Sequence, residues 1–101
     1  MGKRKPPKHI EQREYGLSHY DFFRILPRVW PQHESLGELQ VKIPLSDDGT
    51  VTISLSAEKY RRLATLKIPY VDIEYCFEQV PSSQRIEFFE KFDTSFQKGG
   101  G

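Results

Sequence analysis

A single cysteine, Cys76, is the scarcest chemical resource in this chain, and its scarcity removes several chemistries at once. No intrachain disulfide can form, and no cysteine cluster exists to hold zinc or an iron–sulfur centre. A lone thiol fits a reducing compartment, so a cytoplasmic protein is expected. No apolar run approaches the roughly 18 residues that a membrane-spanning helix needs. Lys3-Arg4-Lys5 has no apolar stretch behind it and does not read as a secretory signal. The only glycine cluster is Gly99-Gly100-Gly101, so no phosphate-cradling loop is present. His9, His19 and His33 are dispersed, with no close-spaced ligand pair joined to another. No metal and no cofactor are therefore expected.

Catalysis lacks a constellation as well. Cys76 lies between Tyr75 and Phe77 and reads as a buried thiol rather than a nucleophile. Asp47-Asp48 reads as turn chemistry, and Glu74 with Glu78 as solvated charge. The expectation is a protein that is not an enzyme.

Aromatic residues are what the chain does have: seven Phe, five Tyr and one Trp. Rings of this size supply much of a small core. A chain of 101 residues accommodates one domain. Charge is balanced overall at +1 but unevenly placed. Lys3, Arg4, Lys5 and Lys8 crowd the first residues, whereas the remainder is net acidic. The organisation expected is a flexible basic arm over 1–14, a compact domain over 15–96 and a flexible tail over 97–101.

The clearest local pattern is Leu39-Gln40-Val41-Lys42-Ile43-Pro44-Leu45, then Ser46-Asp47-Asp48-Gly49, then Thr50-Val51-Thr52-Ile53-Ser54-Leu55. Apolar residues recur at the strand period on each side of an Asp-Gly turn, which predicts an antiparallel hairpin with one buried face. Asp48-Gly49 is expected to supply the left-handed conformation of a tight turn. Ser18 is the expected cap of a short helix from Tyr20 to Leu26, which Pro27 should end or kink, with room for a second turn over Arg28-Val29-Trp30 before Pro31 stops it. Residues 31–37 read as an irregular loop. Ser56 is expected to cap a helix through about Leu66, with Tyr60, Leu63 and Ala64 inward. Residues 70–80 fit both a strand and a helix, and the acidic Asp72 and Glu74 favour the helix. Ser82 or Ser83 starts a last helix whose inward residues are expected to be Ile86, Phe89 and either Phe92 or Phe88. The fold class is thus α+β: an antiparallel hairpin, or three strands if 70–80 is extended, packed against three or four short helices.

The run Val51-Thr52-Ile53-Ser54-Leu55-Ser56-Ala57-Glu58 resembles the strand-to-helix start of ribbon-helix-helix repressors. That resemblance implies base reading by Thr50, Thr52 and Ser54. The chain departs from the family because a preceding strand is fit to pair internally and no clear second helix follows.

Two functional expectations result. The first is a non-catalytic protein-interaction or assembly module, with a protein partner or self-association through Tyr20, Phe23 and Trp30. These belong to an N-terminal segment richer in rings than one short helix needs. The second is a nucleic-acid-binding or regulatory protein in which Lys3, Arg4, Lys5, Lys8, Arg61 and Arg62 contact phosphates.

Overall fold

A computed structural model of the protein describes the backbone of residues 8–100 and side chains as far as Phe96. Its centre is the predicted hairpin. β3 (Gln40–Pro44) and β4 (Thr50–Leu55) pair antiparallel with Val41 opposite Ile53 and Ile43 opposite Val51. All four of these side chains are buried, so the period-two apolar face is the inward face. Pro44 pairs with Thr50 at the end of the ladder, where a missing donor costs least.

The turn works differently from the expectation. Gly49 has no left-handed φ. Its carbonyl accepts from the amides of Leu45 and Ser46, and its own amide donates to Ser46 Oγ at 2.9 Å. Glycine is required here by closeness: a Cβ would stand 2.8 Å from the backbone oxygen of Gln79.

The helix expected after Ser56 is absent. Lys59–Leu63 is a strand, β5, joined by Ala64-Thr65 to the thirteen-residue strand β6 (Leu66–Glu78). Ser56 is engaged across the ribbon rather than along a helix. Its amide donates to Asp72 O, and its Oγ accepts the Asp72 amide, both at 2.9 Å. Ala64 takes the left-handed conformation that the tight turn demands, at φ 57°. Residues 70–78 are therefore extended, which overturns the helical reading of that segment. β4 and β5 follow one another along the same side of β6, with Leu55 opposite Ile73 and Lys59 opposite Tyr70.

Two more strands complete the sheet. β1 (His9–Tyr15) pairs with β6, so residues 9–14 of the expected arm are sheet. β2 (Glu34–Gly37), in the expected loop, pairs with β3 through an irregular register between Ser35 and Gly37. The order is β1-β6-β4-β3-β2, every pair is antiparallel, and β5 flanks the projecting end of β6. A six-stranded sheet with two helices thus replaces the expected hairpin with three or four helices.

α1 (His19–Val29) has the predicted cap, with the Asp21 amide donating to Ser18 Oγ at 3.1 Å. Pro27 does not end it: the helix runs on to Val29, and the Trp30 amide donates to Leu26 O. α2 (Ser82–Gly100) presents Phe88, Phe89, Phe92 and Phe96 inward at helical spacing. Ile86, expected inside, faces solvent. Both helices cover the sheet face that carries Val71, Ile73, Tyr75 and Phe77. Tyr75 is buried there with its hydroxyl unpartnered, and burial raises that hydroxyl's pKa. Among the described residues no layer covers the opposite sheet face, which carries Gln12, Lys42, Thr52, Ser54 and Glu74.

Candidate functional site: the projecting hairpin

β1 ends at Tyr15, opposite Val71, so β6 runs on for five residues with only β5 beside it. Nothing in this two-stranded ribbon reaches the core. Lys59–Leu63 are all exposed, as are Leu66, Lys67 and Ile68. Four large apolar side chains stand in water there: Tyr60 at 50%, Leu63 at 62%, Leu66 at 61% and Ile68 at 37% exposure.

Strand alternation sorts the ribbon into two faces. Lys59, Arg61 and Leu63 lie opposite Tyr70, Ile68 and Leu66, and this face continues into the open sheet face through Asp72 and Glu74. Tyr60 and Arg62 lie opposite Pro69 and Lys67 on the other face. Residues 59–71 contain four cations and no acid. Two of these cations tie the ribbon to the sheet. Lys59 Nζ meets Asp72 Oδ2 at 2.6 Å, and Arg61 donates to Glu14. The other two, Arg62 and Lys67, are direct cross-strand neighbours and are in no ion pair among the described residues. Like charges in that arrangement repel. Aromatic rings sit beneath several of the cations, with Arg61 4.4 Å from the centre of Tyr70 and Lys67 4.4 Å from the centre of Tyr60.

The ribbon is anchored where β4 gives way to β5. Glu58 Oε2 accepts the His19 backbone amide at 2.8 Å, and Glu58 Oε1 accepts the Tyr60 hydroxyl at 2.8 Å. His19 Nε2 lies 2.7 Å from Ser56 O. The amide and hydroxyl donors hold the Glu58 carboxyl below its ordinary value of 4.5. A carboxyl lowered on folding stabilises the fold above its unfolded pKa, and that contribution is lost as pH falls through the lowered value. Glu58→Gln is therefore expected to flatten the acid limb of a thermal-stability profile as pH falls from the ordinary carboxyl value through the lowered one. Equal slopes in the two proteins would show that this anchor carries no linkage.

The residues singled out in the sequence are scattered by the fold. Trp30 is 4% exposed and stacks on Phe88 at 5.0 Å, so it belongs to the core. Phe23 packs edge-on against Phe22, and Tyr20 is exposed on α1. Lys3, Arg4 and Lys5 lie outside the described residues. Lys8 is 3.8 Å from Glu78, at the opposite end of β6 from Arg61 and Arg62. Arg24 is paired with Asp21, Arg28 closes α1, and Lys42 lies on β3. The described cations among them are spread over separate elements. Leu63, Leu66, Lys67 and Ile68 were missed, although the alternation across Leu66-Lys67-Ile68 carried a strand signal.

Elsewhere, a cleft of about 390 Å³ between β1 and α2 is lined by charges that pair with one another, with Arg13 lying 3.6 Å over the Phe89 ring and paired to Glu11 and Asp93. Among the described residues no group of three or more His, Cys, Asp or Glu gathers at one point, and no helix is long and apolar enough to cross a membrane. No protein-family model, curated protein or solved structure gives a significant match to this chain.

Proposed function

We propose that this chain is a non-catalytic protein-interaction and assembly module whose contact element is the β5–β6 hairpin. The observation that carries this reading is the exposure of Tyr60, Leu63, Leu66 and Ile68 on a ribbon that contributes nothing to the core. Four such side chains gathered on one element mark a contact surface far more strongly than the same residues scattered singly. An unpaired ribbon edge also invites another chain, and cationic side chains are a common guard against indiscriminate pairing.

A second reading, nucleic-acid binding, is favoured by one observation: the cross-strand pair Arg62 and Lys67 offers two adjacent positive charges to an anion. A basic ribbon with apolar residues at its tip suits groove insertion. The acidic sheet face continuous with the ribbon opposes that use.

One experiment separates these readings. A photo-crosslinking residue placed at Leu63 in the full chain is expected to give protein adducts in cells, while the same probe at exposed Thr94 on α2 gives none. Nucleic-acid adducts at Leu63 would transfer the assignment to the second reading. Absence of any adduct specific to Leu63 would overturn the hairpin as a contact element.

A further inference from the structure

We infer that the occupant of the hairpin is a second copy of this chain, bound face to face so that each ribbon lies on the open sheet face of the other. The inference rests on the reading of the hairpin as a contact element and names what it contacts.

Three observations support a second copy. First, the apolar tip and a matching depression lie on the same face of one molecule. The tip carries Leu63, Leu66 and Ile68. The depression, of about 250 Å³, is walled by Gln12, Ser54, Ser56, Asp72 and Glu74 along the β4 and β6 backbone at Leu55 and Ile73, whose side chains are buried in the core on the reverse face. Leu66 and Glu74 are eight positions apart on β6, which at strand rise is about 26 Å. A two-fold axis between two such faces, crossing the ribbon near Tyr70, places each tip over the partner's depression. One operation makes both contacts, as an isologous interface requires.

Second, charge is complementary between the two regions. On this face the ribbon carries Lys59 and Arg61 and no acid, whereas Arg62 and Lys67 lie on its reverse. The open face carries Glu14, Asp72, Glu74 and Glu78 on β1 and β6, with Lys42 two strands away on β3. Complementary patches of this kind fix orientation and register in an interface. The two-fold places the basic end of one copy over the acidic end of its mate and separates the two ribbons' tips.

Third, the face is open. Residues 66–70 of β6 and their β5 partners project past the last β1 pairing, and among the described residues both helices pack on the reverse of the sheet.

Sedimentation equilibrium of the full chain from about 1 µM to about 500 µM is the test. A mass of twice 11.8 kDa is expected at the upper end. The double variant Leu63→Glu with Leu66→Glu should raise the dissociation constant about 100-fold. Its circular dichroism should be unchanged, because both side chains are exposed. Glu74→Arg should weaken association from the other side of the contact. Mixing the two variants restores one intact tip-and-depression contact, so the mixture should associate more tightly than either variant alone. A single mass of 11.8 kDa throughout, a dimer indifferent to the tip substitutions, or a mixture no tighter than its components would each overturn the inference. A monomer whose Leu63 probe captures a different protein rejects the second copy and leaves the hairpin reading standing. A monomer with no capture removes both.

Discussion

Phe92→Ala is expected to remove about 3–5 kcal/mol of folding stability, the range for truncating a fully buried phenylalanine. Phe92 is completely buried and lies where every layer of the protein meets. Its ring centre is 5.1 Å from Tyr15 of β1, 5.3 Å from Tyr75 of β6, 6.5 Å from Phe22 of α1 and 4.4 Å from Phe96 of α2. Trp30 closes the cluster at 6.2 Å. Several of these rings are near-perpendicular pairs, as at Tyr75, where the planes meet at 83°. Such pairs add to the area term. Truncation leaves a cavity that large, mutually locked rings cannot collapse to fill. For a domain of this size the loss is a large share of the ~5–15 kcal/mol available. Melting should fall by roughly 15–30 °C. Denaturant titration checks the energy directly, and a loss below about 1 kcal/mol would show that the rings repack.

Gly49→Ala is the second large effect, with an expected cost of about 2 kcal/mol from forced overpacking. The added Cβ would lie 2.8 Å from Gln79 O, 2.8 Å from Ser46 Oγ and 3.1 Å from Val80 Cγ2. Rotation of Ser46 relieves one clash but gives up the bond that its Oγ accepts from the Gly49 amide. The Gln79 carbonyl has little room to move. Gln79 holds a left-handed φ of 59° between the end of β6 and buried Val80. Gly37→Ala is the matched comparison, since nothing lies within 4 Å of the Cβ it would add. Its expected effect is within about 0.5 kcal/mol. Equal midpoints for the two variants in urea would contradict the close approach at Gly49.

The central hairpin was legible because its signal is complete within the seventeen residues from Leu39 to Leu55: alternation, a turn, and alternation again. The Ser18 cap was legible for the same reason. The long β5–β6 ribbon was not. Ser56-Ala57-Glu58 carries the residue types of a helix start, and only Asp72, sixteen positions away, shows that Ser56 bonds across a ribbon instead. Asp72 and Glu74 suited a helix N-terminus in isolation, yet they are outward residues of a strand whose inward set, Val71, Ile73, Tyr75 and Phe77, forms the floor of the core. β1 was hidden because its inward positions, His9, Glu11 and Arg13, are polar or charged. Arg13 covers Phe89 with its guanidinium, a contact that no hydropathy pattern reveals. Trp30 was misread for a related reason. The rings that bury it, Phe88 and Phe96, come from the far end of the chain.

The site followed the fold. Arg61 and Arg62, read as one basic patch on a helix, point to opposite faces of a strand, and one of them is held by Glu14. The apolar tip became visible only when Leu63 and Leu66 were brought together by the turn at Ala64-Thr65.

Amide hydrogen exchange at several protein concentrations tests the central claim most directly. The amides of Leu63–Ile68 have no core packing to protect them in a single chain and should exchange with little protection when dilute. Their protection should rise with concentration, together with that of Ser54 and Glu74 on the open face, while buried Val41 and Ile43 stay constant. Protection at Leu63–Ile68 that is the same at every concentration would contradict the assignment of the hairpin to a second copy.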